Sequence, residues 1–453
     1  MKVTCRRLSQ NTKVPNIMSE ITIGFIGIGV LLGAIFFGAP IMLALTAVGF
    51  LGLGILTSFS AAITVLGTIY FETVSSFHFS VIPMFLLMGF FAMEAGIGND
   101  LFEACTKWFG NLPGGLAIAT TGAAAAFGAA SGSSVGSAML FTKLALPEMI
   151  KRGYDRGFSS ACIAIAGTLA VLIPPSALMV VYGILTNSSI GELLIAGIIP
   201  GIIFAFLIGV TVFVYSFFNP EKTPRMTEKY TFSEKVKSLR YILPLVVVIV
   251  TMILGLYNGF FTPEEAGGIG ALVTFVMAVI RNKRNQFKTL LHTLIETSTL
   301  TAMIFAIIIG GLLFARFLAL SGVSEEIKFF LTETGLSNWV VVFLVTLLYL
   351  LFGMLMDAPS LLAISLPITY PVMTTIGFDP LWLGVYVIVL AEIGAITPPV
   401  GMNCFVVHGA ANGLVKLEEI FKGLLPYLWA CSLMLLLLVL FPEIVLYLPQ
   451  KMK

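Results

Sequence analysis

Pro147, Gly153, Tyr154, Asp155 and the pair Pro174-Pro175 recur 224 positions later as Pro371, Gly377, Phe378, Asp379 and Pro398-Pro399. Fainter echoes flank them: Pro40 with Pro263, Gly96 with Gly322, and Pro200 with Pro426. The small drift in spacing is what two old copies with short insertions would show. This punctuation interrupts strongly apolar sequence. Of 453 residues, 58% are hydrophobic and 11% charged, against roughly 25% charged in a soluble domain. So much apolar surface cannot be hidden from water, so lipid is the solvent. In an apolar chain, matched Gly/Pro interruptions in two copies mark where a ligand site forms.

Several classes are excluded at once. The five cysteines (Cys5, Cys105, Cys162, Cys404, Cys431) and three histidines (His78, His292, His408) are scattered, with no metal-ligand spacing. No basic stripe with interleaved aromatics favours nucleic acid. No P-loop, G-x-S-x-G or H-E-x-x-H occurs, so neither direct ATP use nor a hydrolase site is indicated. Residues 1–19 form a polar tail with no signal-peptide layout, and Met18 stands as an alternative start.

A spanning helix needs about 20 apolar residues. Candidates cover 20–38, 41–57, 79–96, 157–187, 191–218, 240–259, 264–281, 298–320, 381–412 and 420–447. Two further apolar blocks, 113–146 and 338–369, carry Ser131-Gly132-Ser133-Ser134 and Asp357-Ala358-Pro359-Ser360 near their middles. Their arms are short for full crossings, so both read as re-entrant hairpins. The less apolar segments 59–77 and 284–297 read as interfacial or lateral helices. The fold expected is an all-α polytopic membrane protein with about ten spans, two hairpins and two discontinuous helices. The first repeat covers 20–218 and the second 241–447, joined by a basic linker, 219–240. An odd number of spans per copy inverts the second relative to the first. Lys107, Lys151, Arg152, Arg156, the linker bases, Arg281, Lys283, Arg284, Lys288, Lys416 and Lys422 then share one face. Positive-inside makes it cytoplasmic, with both termini outside.

Non-helical chain at membrane depth survives only inside protein or beside water. Pro-Pro within a long apolar run should split it into half-helices. Freed carbonyls and hydroxyls at such breaks suit Na⁺, and half-helix N-termini suit anions. The first-half candidates are Ser131, Gly132, Ser133, Ser134, Pro174, Pro175 and Ser176. Those of the second half are Gly353, Asp357, Ala358, Thr397, Pro398, Pro399, Gly401 and Asn403, with Ser360 beside the tip acid. Asp357 is the strongest single acid, because ionisable groups in membranes are functional by default. Glu392 suits a supporting acid, a proton relay or a satisfied structural group alike. Arg316 can snorkel or meet an anionic substrate, and Asp155 and Asp379 read as helix caps.

Phe127-Gly128-Ala129-Ala130-Ser131-Gly132-Ser133-Ser134, Leu172-Ile173-Pro174-Pro175-Ser176, Phe261-Thr262-Pro263-Glu264-Glu265-Ala266 and Ile396-Thr397-Pro398-Pro399-Val400-Gly401 together resemble the large membrane subunit of tripartite ATP-independent periplasmic (TRAP) transporters. The resemblance runs from about residue 20 to near the end. It implies a secondary transporter of the bacterial inner membrane, driven by Na⁺ and working as an elevator. It implies a small organic anion as cargo, such as a C4-dicarboxylate or sialic acid, handed over by a periplasmic substrate-binding protein. It also implies a small four-helix membrane subunit as a separate chain. On this sequence the tip residues Ser131, Gly132, Ser133 and Gly353 and the breaks Pro174-Pro175, Thr397-Pro398-Pro399 and Gly401 become Na⁺ ligands. Asp357 falls near the second ion or the substrate, and Ser134, Ser176, Ser360, Asn403 and Arg316 are the further candidates for substrate. A passive organic-anion channel would need a continuous polar path, and an H⁺-coupled carboxylate carrier would use the same breaks with a different ion.

Overall fold

The computed structural model describes residues 19–281, 286–333 and 335–452. The polar tail with Met18, and the basic residues Lys283 and Arg284, lie outside the described residues. Those described form helices and connecting turns, with no strand among them.

The first half opens with α1 (Glu20–Phe36), α2 (Ile41–Leu56) and α3 (Phe59–Ser75), then α4 (Val81–Glu94) and α5 (Ile97–Phe109). A helix pair follows, α6 (Gly115–Ser131) and α7 (Ser134–Lys151), and then a split helix, α8 (Arg156–Thr168) and α9 (Ala177–Thr186). It closes with α10 (Ile190–Ala196) and α11 (Ile198–Phe218). The second half repeats the order: α12 (Phe232–Tyr257), α13 (Pro263–Arg281), α14 (Gln286–Ser321) and α15 (Val323–Glu333). Its helix pair is α16 (Asn338–Gly353) and α17 (Ala358–Thr375), and its split helix is α18 (Pro380–Gly394) and α19 (Met402–Ala410). Last come α20 (Leu417–Leu424), α21 (Leu428–Leu440) and α22 (Glu443–Leu446). Among the described residues six helical stretches are long and apolar enough to cross a membrane by length and composition, among them Phe232–Tyr257 and Phe287–Ser321, and others are shorter apolar helices.

Two expectations are corrected. The segments 284–297 and 298–320 are not separate elements, because α14 is one helix of 36 residues, about 54 Å at 1.5 Å per residue. The cause is local: neither Pro nor Gly occurs between Gln286 and Gly310, so nothing ends the helix. The corresponding first-half sequence is cut at Ser76, whose extended backbone (φ −73°, ψ 129°) ends α3 before α4 begins. Likewise the linker is helical from Phe232. Thr231 and Glu234 form a capping box there, a Ser/Thr-x-x-Glu signal that starts helices.

Caps also explain where the split helices begin. Asp155 accepts from Phe158 N at 2.8 Å, and Asp379 from Leu381 N at 2.8 Å and Trp382 N at 3.3 Å. The two copies are then interlocked. α9 packs on α17 and α18 of the second half, while α19 packs on α7 and α8 of the first. The Tyr182 hydroxyl donates to Pro380 O at 2.7 Å, and Gly157 and Gly423 bring α8 and α20 into backbone contact.

Apolar packing forms two bodies. The larger core holds the helix pairs and split helices; a smaller one gathers α1, α2, α3 and the C-terminal part of α14, with Leu313, Phe314 and Phe317 buried. Gly49 and Gly52 let α2 lie against α14, since a Cβ at Gly49 would sit 2.8 Å from Phe314 N. Across the halves, buried Glu264 meets His78 Nδ1 at 2.9 Å, and Arg281 pairs with Asp100. Arg152 holds Glu148 at 2.6 Å and Glu228 of the linker at 3.3 Å.

Candidate functional site

All four interruptions meet in one place. The first tip is built by α6 ending at Ser131, Gly132 in the left-handed region (φ 58°), and the Ser133 hydroxyl capping α7 through Gly136 N at 3.2 Å. A Cβ on Gly132 would lie 3.0 Å from Pro175 O and 3.2 Å from Ala177 N, so this tip sits directly on the first break. There the Pro174-Pro175 bond is cis, and the Ser176 hydroxyl caps α9 through Met179 N at 3.3 Å. Gly132→Ala therefore combines a strained φ with a crowded Cβ. Its expected cost is about 1–2 kcal/mol, read as a lower thermal midpoint together with impaired uptake; unchanged values of both would show that the tip is loosely held.

The second tip repeats the plan with an acid. Asp357 caps α17, accepting from Ser360 N at 3.2 Å. Gly353, just before it, touches Gly394 of α18 backbone to backbone. The second break carries the other cis Pro-Pro bond, Pro398-Pro399. Gly401 (φ 62°) starts α19, and its N–H donates to Met354 O of the tip at 3.2 Å. Asn403 N donates back to Ala395 O at 2.9 Å, and the Thr397 hydroxyl to Ile393 O at 2.6 Å.

Glu392 ties the two copies together. The Ser134 hydroxyl of the first tip donates to its Oε1 at 3.1 Å. The carboxylate is 1% exposed, as is Asn403, whose side chain faces it. Glu392 Oε2 and both amide atoms of Asn403 have no hydrogen-bond partner among the described residues. Three orphan polar atoms in one buried spot are exceptional, because buried polar groups are nearly always paired.

The structure thus gathers Ser131, Gly132, Ser133, Ser134, Pro174, Pro175 and Ser176 with Gly353, Asp357, Ser360, Thr397, Pro398, Pro399, Gly401 and Asn403. Arg316 stays apart: it is exposed on α14 and makes no hydrogen bond or ion pair with the tips among the described residues. The sequence leaves three readings open for Glu392, since its partner Ser134 lies 258 positions away and no local motif joins them. Four helix N-termini converge, and each carries partial positive charge. Those of α7, α9 and α17 are capped by Ser133, Ser176 and Asp357; α19 has no side-chain cap. The breaks also differ in access. Pro174, Pro175 and Ser176 are buried, whereas Pro398 and Pro399 are exposed.

Residues 28–444 match the family described as tripartite ATP-independent periplasmic transporter, DctM component. The chain belongs to this TRAP permease family. It is 33% identical over 380 residues to the C4-dicarboxylate TRAP transporter large permease protein DctM of Pseudomonas aeruginosa, covering 84% of this chain and 88% of that one. It is 29% identical over 420 residues to the sialic acid TRAP transporter large permease protein SiaM of Vibrio cholerae, covering 92% and 96%. The fold of this TRAP permease is also that of the Alcanivorax borkumensis YdaH transporter, with a TM-score of 0.59 at 12% identity over 86% of this chain and 90% of that one.

Proposed function

We propose that this TRAP permease imports a small organic anion, a carboxylate, across the bacterial inner membrane by Na⁺-coupled elevator transport. The observation that carries the reading is the meeting of two hairpin tips and two split helices around partly exposed polar groups. Na⁺ would be held by backbone carbonyls and hydroxyls of Ser131, Gly132, Ser133, Pro174 and Pro175 in one copy. In the other, Gly353, Asp357, Thr397, Pro398, Pro399 and Gly401 would hold it. The anion would lie between the tips, where the uncapped start of α19 and Asn403 face an exposed break. Dicarboxylate or sialic acid cargo, the periplasmic binding protein and the small membrane subunit enter from the named relatives and the family.

The hairpins meet the helices beside them through small residues. Gly89 of α4 abuts the Ser131 backbone, and Gly311 of α14 abuts Ala363 of α17. Both are smooth meetings of small residues, which let helices approach closely in membranes. The basic linker face is taken as cytoplasmic and the repeats as inverted.

Proteoliposomes containing this permease with its small subunit and binding protein provide the test. Uptake should require an inward Na⁺ gradient, and Asp357→Ala should lower it by at least about thirtyfold. That is the equivalent of about 2 kcal/mol, as expected if half-buried Asp357 holds the ion or the anion directly. Flux independent of any gradient would overturn the reading in favour of a channel. The orphan Oε2 of Glu392 favours a second reading, H⁺ coupling: uptake driven by an acid-outside gradient at equal Na⁺ would select it.

A further inference from the structure

One face of α7 is turned outward. Val135 and Met139 are 37% and 41% exposed, and Lys143 and Pro147 continue the stripe at four-residue spacing. Its opposite face is buried through Ser137, Phe141, Ala145 and Met149. Lys143 has no ion pair or hydrogen bond among the described residues. Nine positions past Ser134, it stands about 13 Å along the helix from the tip. A charge on a hairpin arm at membrane depth is costly against lipid and is normally found beside water.

A separate feature points the same way. The exposed break Pro398-Pro399 frees backbone groups that lipid could not satisfy. The half-helix after it, α19, packs directly on α7 and shows Phe405 43% exposed. Exposed stripe and exposed break therefore belong to helices that pack together, while the break at Pro174-Pro175 is sealed.

We propose that a water-filled vestibule runs along α7 and α19 from the tips to the basic face at Lys151 and Arg152, and that Lys143 binds the cargo's carboxylate within it. The vestibule stands on exposure and charge alone; the role of Lys143 rests on the organic-anion reading. At the mouth Arg152 is already engaged by Glu148 and Glu228, which leaves Lys143 as the cation nearest the first tip on this stripe. The conformation is then one that opens toward the cytoplasm.

The test uses the permease with its small subunit and binding protein in membrane vesicles, with Cys5 and Cys105 replaced by Ser. Met139→Cys is probed with impermeant thiosulfonates, one anionic and one cationic. The introduced thiol should react from the cytoplasmic side at least about tenfold faster than that of Ile202→Cys or Leu436→Cys, exposed apolar positions on α11 and α21. The anionic reagent should win by roughly threefold or more, and Lys143→Gln should abolish that preference. The transported anion should protect the Met139→Cys thiol, and Lys143→Gln should remove the protection. Reactivity equal to the α11 and α21 controls would overturn the vestibule. Labelling without protection, in vesicles that still take up the anion, would overturn only the role of Lys143. Wild-type vesicles that take up no carboxylate would overturn the organic-anion reading and that role together.

Discussion

Glu392→Ala is expected to cut uptake by at least about thirtyfold, equivalent to about 2 kcal/mol or more, while leaving the protein as stable as wild type or more so. The two halves of this result have one cause. The carboxylate is 1% exposed, and the hydrogen bond from Ser134 leaves Oε2 without a partner among the described residues. Taking a carboxyl group out of water costs free energy, and the one hydrogen bond from Ser134 does not offset it. On the proposed function, a group that costs the fold stability yet links the first tip to the second split helix acts on what binds between them. Glu392→Gln separates charge from hydrogen bonding, since its amide oxygen can still accept from Ser134. It should fold normally and transport as poorly as the alanine variant if the charge matters. Wild-type uptake by Glu392→Ala combined with a lower thermal midpoint would sink this assignment and make Glu392 a structural group.

Gly394→Val should fail to accumulate in the membrane, and Gly394→Ala should lower the thermal midpoint and abolish uptake. A Cβ at Gly394 would fall 2.7 Å from Gly353 Cα and 2.9 Å from its carbonyl carbon. Both are backbone atoms and cannot swing aside as the end of a flexible side chain does. Forcing α16 and α18 apart carries the usual penalty for overpacking, about 1–3 kcal/mol for one methyl. It also moves Asp357 relative to Gly401, whose N–H holds Met354 O of the same tip. Full uptake by Gly394→Ala would mean that this crossing adjusts freely and does not set the tip.

The sequence carried the breaks because Pro and Gly act on their own neighbours. Pro174-Pro175 and Pro398-Pro399 end helices whatever surrounds them, and Asp155 and Asp379 cap the next residues in line. What escaped was set over distance or by continuity. α5 and α15 are short and amphipathic, with Asp100, Glu103 and Lys107 on the first, so a search for long apolar runs passes over them. The single length of α14 follows from residues that are absent, which no motif records. The Thr231-Glu234 capping box was readable and places the start of α12 eight residues before the apolar run. Ser134 meeting Glu392 depends on the folding of one half against the other. Lys143 looks like a chance charge on an apolar arm until the exposed side of that arm is known. Arg316, attractive as a cation in an apolar span, lies on the outside of α14.

The exchange of half-helices between copies also governs the order in which the chain can mature. When α9 leaves the ribosome, the arm it rests on does not exist; α17 and α18 are still to be synthesised. The first half must wait in the bilayer with Tyr182 lacking its Pro380 acceptor and a groove open along α7 and α8. It closes only when α19 arrives near the end of synthesis. Each copy rests on a half-helix of the other, so the centre is complete only when both are in place.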